Sequence, residues 1–276
     1  MALRPARAFY LGSRRYEPLH ALQKRLLELR IANKIGNVVL LLEHAPVVTL
    51  GRSAKPENIL FSSDVLAQMG VDRVDTGRGG DVTFHGPGQL VGYPIIDLKP
   101  GRCDLRRYVR DLAEVMILIA RDHGVEAGTV DGLIGVWVDR EQPDQWATAP
   151  WARTLAKIGA IGVRVSRWVT MHGFALNLDV DLAQFGLIVP CGIRDHEVTS
   201  LASLCNGART VRQVAMTLGA HLETALDLEV GQVIDLEASA TADLEREIVE
   251  QSGGIQPEVE SANKNSSVPS ETKSAR

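Results

Sequence analysis

Cysteine is scarce in this 276-residue sequence: Cys103, Cys191 and Cys205 form an odd set with no CxxC pair. Disulfide frameworks use even numbers at close spacing, so this set argues against a stapled secreted scaffold and predicts reduced thiols in a cytoplasmic protein. No apolar run approaches the roughly 20 residues needed to span a bilayer. The run Val38 to Leu42, for example, meets Glu43 and His44 at once, so no membrane partner is expected. The N-terminus carries Arg4 and Arg7 without an apolar stretch of signal-peptide type. Strand-like sequence begins near Ala8, which leaves little room for a transit peptide. Charge is also missing from most of the chain. From Glu237 onward there are eight acidic and four basic residues, which accounts for the whole net charge of −4 and leaves residues 1–236 neutral. A neutral body gives no electrostatic basis for a nucleic-acid binder. Neither GxxxxGK[ST] nor a strand–GxGxxG–helix unit occurs, so phosphate-loop chemistry is disfavoured.

What is present is ordinary globular sequence, 45% hydrophobic and 23% charged, long enough to bury one large core. Residues 8–12 read as a first strand. Leu19, Leu22, Leu26 and Leu29 then share a helical face. Asn37 to Leu50 reads as a strand pair broken at Ala45-Pro46. A second helix is predicted to start at an Asp104 cap, its apolar face made by Leu105, Tyr108, Leu112, Val115 and Ile119. Residues 132–139, 157–165 and 173–179 alternate like strands. Residues 195–206 and 209–226 read as helical, with Val211, Val214, Leu218 and Leu222 on one face. Between Asp139 and Lys157 an elaborated loop carries Trp146 and Trp151 among prolines; those rings anchor either an interface or the loop itself. The pattern predicts one α/β domain of the α+β kind over residues 1–236, with a mixed, largely antiparallel sheet flanked by helices. Residues 237–276, acidic and nearly free of aromatics, are predicted to be a disordered tail apart from a helical turn or two at 242–251.

Three segments could carry chemistry. Thr76 to Gly92 holds six glycines and one proline, so its backbone either makes a twisted hairpin or closely approaches a ligand. Lys157 opens the apolar, glycine-bearing run KIGAIGVRV. Such a lysine either snorkels to water or, beside small residues, loses hydration and has its pKa lowered. Cys191 stands between Pro190 and Gly192 on a tight turn, as a small core residue or as an exposed nucleophile. Cys191, His196 and Cys205 fit no zinc spacing and lack a fourth ligand, so no metal is expected. A Cys–His pair of Cys191 with His85, His172 or His196 remains open at this level.

Taken together, LLLEHAPVVTLGR (40–52), RGGDVTFHGPGQLVGYPIIDL (78–98), GLIGVWV (132–138), KIGAIGVRV (157–165), HGFALNLDVDLAQF (172–185) and IVPCGI (188–193) resemble the lipoyl(octanoyl) transferases. These are octanoyl-[acyl-carrier-protein]:protein N-octanoyltransferases, and the resemblance covers roughly residues 8–225. It implies a biotin/lipoate protein ligase-like fold and a dyad in which Cys191 carries the acyl thioester while Lys157 lowers the thiol pKa and moves protons. Acyl-binding positions would be Arg78, Gly79, Gly80, Asp81, Val82, Thr83, Phe84 and His85, then Ala160, Ile161 and Gly162, and Gly173, Phe174 and Ala175. Octanoyl-acyl carrier protein would be the donor. Lipoyl domains of 2-oxoacid dehydrogenases and the glycine-cleavage H protein would be acceptors, with no cofactor. Oxyanion donors would come from N–H groups near Gly192 or in the Gly79-Gly80 turn. A basic rim facing acidic partners would draw on Arg52, Arg78, Arg164 and Arg167. The sequence departs from the family at Phe84, where tyrosine is usual, so the resemblance implies a pocket wall lacking one hydroxyl. The rival readings are an ATP-dependent lipoate or biotin ligase, which has no need of Cys191, and a catalytically silent lipoyl-domain binding module.

Overall fold

The computed structural model describes residues 3–146, 154–189, 197–205 and 207–253. Thirteen strands occur among them: β1 (Arg4–Arg14), β2 (Asn37–His44), β3 (Val47–Leu50), β4 (Asp72–Asp75), β5 (Val82–His85), β6 (Gln89–Ile95), β7 (Ala127–Val130), β8 (Leu133–Asp139), β9 (Leu155–Ser166), β10 (Val169–Asn177), β11 (Glu197–Val198), β12 (Leu228–Glu229) and β13 (Ile234–Asp235). The helices are α1 (Tyr16–Ile31), α2 (Ser63–Gln68), α3 (Leu105–Arg121), α4 (Leu201–Leu204), α5 (Val211–Thr217), α6 (Gly219–Leu226) and α7 (Leu244–Ser252).

The main sheet runs β12-β1-β2-β6-β10-β9-β8-β7, with β13 on β1 and β11 on β9. Pairings from β2 through β6, β10, β9 and β8 to β7 are antiparallel, whereas β1 is parallel to β2, β12 and β13, and β11 to β9. The predicted mixed, largely antiparallel sheet is therefore observed. A second sheet, β4-β3-β5, stands beside it. The Ala45-Pro46 break thus separates two sheets rather than the arms of one hairpin.

Both faces of the main sheet are covered, which explains why β2 reads NVVLLLEH without alternation. Val39 and Leu41 face a core shared with Tyr108, Leu112, Val115 and Ile119 of α3, Val211 and Val214 of α5, and Leu222 of α6. Val38, Leu40 and Leu42 face Leu19, Leu22, Leu26 and Leu27 of α1. The result is an α/β/α arrangement. The α3 cap forms as expected, the Asp104 carboxylate accepting the Arg107 N–H at 3.0 Å. Leu29 is only half-buried, and Leu27 takes its place in the core.

Three expectations change. The folded body does not stop at residue 236. Leu244 and Ile248, four apart on α7, are fully buried against α1, and Glu245 pairs with Arg25 at 2.9 Å. Two well-placed side chains suffice to dock a segment whose overall composition is polar. Residues 254–276 lie outside the described residues. Within 195–206, the described chain forms the two-residue strand β11 and only the short α4. The single helix expected over 209–226 is two, because α5 covers β1, β2 and β6 while α6 turns to pack on α3 and β12. In the 139–156 loop, the Trp146 ring packs on Gly128 of β7, in space that a Cβ there would occupy. That contact matches the packing alternative for Trp146; Trp151 lies outside the described residues.

Candidate active site

A cavity of about 480 Å³ opens where β9 and β10, the Gly-rich turn before β5, the start of α3 and the 132–134 turn converge. It brings together Arg78, Gly79, Gly80, Asp81, Thr83, His85, Lys157, Ala160, Ile161, Gly162, Gly173, Phe174 and Ala175. These are all but two of the acyl-binding positions named from the sequence, with the lysine among them. The two exceptions follow from strand geometry. Side chains alternate along β5, so Thr83 and His85 face the cavity while Val82 and Phe84 turn into a separate apolar cluster with Phe185 and Leu187. Phe84 is buried there, its ring edge-on to Phe185 at 5.5 Å. The hydroxyl absent at Phe84 is therefore not missing from the cavity wall.

The Gly-rich turn lies directly on β9. The Gly79 N–H donates to the Val163 carbonyl at 2.9 Å, which removes it from the candidate oxyanion donors. A Cβ on Gly162 would stand 3.0 Å from the Gly79 carbonyl oxygen, so only glycine lets the two backbones approach this closely. Asp81 braces the same turn, accepting the Val82 N–H at 2.8 Å, the Lys55 N–H at 3.1 Å and the Asn58 amide at 2.5 Å. Arg78 is not a rim residue. Buried, its guanidinium donates to the Thr49 carbonyl (2.6 Å), the Thr49 hydroxyl (3.0 and 3.2 Å) and the Gly79 carbonyl (3.0 Å). Arg52 is exposed at the mouth, and Arg164 and Arg167 are exposed on the surface.

Lys157 is 92% buried by area, being only 8% exposed. Its ammonium donates to the Ile134 carbonyl at 2.8 Å and lies 5.5 Å over the Trp137 ring. Room for it comes from Gly135, where a Cβ would stand 2.5 Å from Lys157 Cε. Among the described residues it is the only lysine lining the cavity. Cys191 and Gly192 fall outside the described residues. The chain is anchored on either side of that segment: Val189 N–H donates to Asn58 (2.8 Å), and Val198 pairs with Lys157 itself.

The remaining polar wall is uncharged. His85 is pushed down to about 3, mainly by burial and then by His44, and His172 likewise to about 3 by burial and then His20. Burial holds His44 at about 4. A chain of hydrogen bonds sets the His85 tautomer. The Thr199 carbonyl can only accept, so Asn177 must present its Nδ2 to it (2.9 Å). Asn177 Oδ1 then accepts from Gln89 Nε2 (2.9 Å), and Gln89 Oε1 is left to accept from His85 Nδ1–H (2.7 Å). His85 Nε2 therefore carries its lone pair toward the Thr49 hydroxyl, 3.5 Å away. Thr49, Gln89 and Asn177 were not singled out from the sequence, although all three lie inside the quoted motifs. Tyr16 and Tyr93 also line the cavity and carried no sequence signal of their own.

Residues 15–223 match the family described as the lipoyl protein ligase A/B catalytic domain. An octanoyltransferase of Koribacter versatilis is 47% identical over 206 residues, covering 74% of this chain and 77% of its own length. An octanoyltransferase of Chloroflexus aggregans is 44% identical over 227 residues, 82% of this chain and 97% of its own. Among solved structures, a chain from the archaeal lipoylation system of Thermoplasma acidophilum, a bipartite lipoate protein ligase and its E2 lipoyl domain, superposes with a TM-score of 0.64. The identity there is 13%, covering 90% of this chain and 93% of that one; a likeness at that identity speaks for the fold.

Proposed function

Because the chain belongs to the lipoyl protein ligase A/B catalytic-domain family, we propose that it transfers an octanoyl group from acyl carrier protein to a lipoyl-domain lysine. The observation that carries this reading is a buried lysine in a mostly apolar cavity, in a chain whose relatives at 42–48% identity are octanoyltransferases. The Cys191 thiolate attacks the carbonyl of the incoming thioester, and the carrier's thiolate leaves, taking up a proton. The acceptor lysine amine then attacks the Cys191 thioester. An amide forms, the C–S bond breaks, and the amine's proton passes to a base. A free thiol has a pKa near 8.5 and is mostly protonated at neutral pH. A Lys157 ammonium beside it favours the thiolate, and the neutral amine is a base for the second step. Because the donor is already a thioester, no nucleotide is needed to activate the acyl group. Six methylenes at ~0.8 kcal/mol each supply roughly 5 kcal/mol of gross burial, for which Ile161, Phe174 and Val109 line the slot. The acceptors would be the lipoyl domains of 2-oxoacid dehydrogenases and the glycine-cleavage H protein, in the cytoplasm.

The ligase reading rests on fold likeness at 10–13% identity, and the fold is common to both activities. Two measurements test the proposal. Intact-mass analysis after incubation with octanoyl-acyl carrier protein, without ATP, is expected to show one added octanoyl group in the wild type and none in Cys191→Ala. Transfer that requires ATP, or an unchanged octanoyl adduct in Cys191→Ala, would sink the covalent transferase mechanism.

A further inference from the structure

The helix that borders the cavity mouth carries two exposed stripes that the core does not use. α3 buries Tyr108, Leu112, Val115 and Ile119. One step around the helix, Leu105 and Val109 line the cavity, Leu105 being 46% exposed. Across the mouth from them are Leu133 and Ile134, the latter 64% exposed. Exposed apolar side chains gathered at a cavity entrance mark an interaction surface more often than scattered ones do. Next to Leu105 and Val109, at the same four-residue spacing, stand Arg106 and Arg110, both exposed.

The neighbouring arginines are already engaged. Arg102 is buried and holds Asp111 and Asp227 at 2.6 Å each, and Arg107 lies 3.5 Å from Asp227. Asp104 serves as the helix cap through the Arg107 N–H, and its carboxylate is held below the usual range by that hydrogen bond and, more weakly, by the charges of Arg110 and Arg106. Among the described residues, neither Arg106 nor Arg110 has a carboxylate within ion-pair distance. The entrance therefore has an apolar lip with two exposed arginines along it that form no ion pair among the described residues.

We propose that the first two turns of α3, with the 132–134 turn, are the docking face for the acyl donor's carrier domain. The partner would present carboxylates to Arg106 and Arg110 while its thioester arm passes Leu105 and Ile134 toward Lys157. The proposal rests on the transferase reading and adds which side of the mouth the donor uses. An acidic partner is the occupant that charge complementarity selects. Continuity of the lip with the cavity fits a partner whose cargo must enter it, rather than a second copy of this chain.

The test is steady-state transfer to a lipoyl domain from two donors, octanoyl-acyl carrier protein and octanoyl-pantetheine. Arg106→Glu/Arg110→Glu is expected to raise KM for the protein donor by about tenfold or more, an effect that shrinks as salt screens the charges. kcat, and both constants for octanoyl-pantetheine, should stay within twofold. Arg106→Lys/Arg110→Lys should behave like wild type, and Lys34→Glu, exposed just after α1 on the opposite face of the sheet, should leave the protein-donor KM unchanged. An unchanged protein-donor KM in the double reversal, or an equal rise in Lys34→Glu, would overturn the assignment of this face. Failure of the wild type to transfer from either donor would instead overturn the transferase reading, and the docking face with it.

Discussion

Acidification should destabilise this protein through two histidines of the cavity wall, His85 and His172, and through His44 packed behind His85. His44, His85 and His172 are buried and neutral, held at about 4, 3 and 3 chiefly by desolvation. In the unfolded chain each titrates near 6.5. A folded pKa below the unfolded one means that the native state refuses a proton which the unfolded state accepts. The stability these rings contribute is therefore fully present above about pH 6.5 and is lost as pH falls toward 3–4. Between pH 7.5 and 5.5 each ring contributes a loss of about 1.4 kcal/mol, so three remove about 4 kcal/mol. Domains are typically stable by about 5–15 kcal/mol, so a loss of this size is large. The contacts explain why the rings resist protonation. Among the described residues, neither nitrogen of His172 has a hydrogen-bond partner. His44 donates through Nδ1–H to the Arg14 carbonyl (2.9 Å) and accepts the Tyr93 hydroxyl at Nε2 (2.7 Å). A proton on His85 Nε2 would point at Thr49, whose hydroxyl already accepts from Arg78. The assay is guanidinium denaturation at pH 7.5, 6.5 and 5.5, with the slope of stability against pH giving the proton uptake on unfolding. An uptake below one proton near pH 5.5 would refute the argument, because at least two of the rings would then be charged or solvated in the native state.

The other expectations concern single positions. Leu244→Ala, which opens a cavity between α7 and α1, should cost about 2–5 kcal/mol and lower Tm by roughly 4–20 °C. Deleting residues 254–276 should leave Tm and transfer as they are, and a Leu244→Ala Tm within about 1 °C of wild type would show that α7 does not dock in solution. Gly162→Ala forces the Gly79 carbonyl away from 3.0 Å and should cost about 1–3 kcal/mol, together with a fall in kcat/KM; equal activity and melting would mean the turn yields freely. Phe84→Tyr should change the KM for octanoyl donors less than twofold, since Phe84 faces Phe185 and not the cavity; a lower KM would return that hydroxyl to the acyl site.

Patterns with a local cause could be read directly. The Leu19-Leu22-Leu26 stripe and the Asp104 cap of α3 need only helical periodicity and one side-chain oxygen. The alternation that sends Val82 and Phe84 away from the cavity is equally local, but a motif spanning Arg78 to His85 as one block does not separate the two faces of β5. Leu105 fits the periodicity of the α3 face, yet it is exposed at the mouth, because the first turn of α3 borders the cavity.

The order of the glycine, lysine and cysteine motifs and the absence of a phosphate-loop motif both belong to the sequence by itself. They are statements about residue types and spacing, and a chain carries those unfolded. Tertiary structure alone decided the rest. β9 and β10 pair Gly162 with Gly173, and the turn at Gly79 crosses onto β9, so segments about 80 residues apart in the chain become one wall. The His85–Gln89–Asn177–Thr199 chain joins β5, β6 and β10 to the segment between β11 and α4, and the docking of α7 depends on a surface that α1 presents only once folded. Burial and hydrogen-bond partners are properties of what packs opposite a residue, and the identity of that neighbour is set by long-range pairing rather than by the residues on either side.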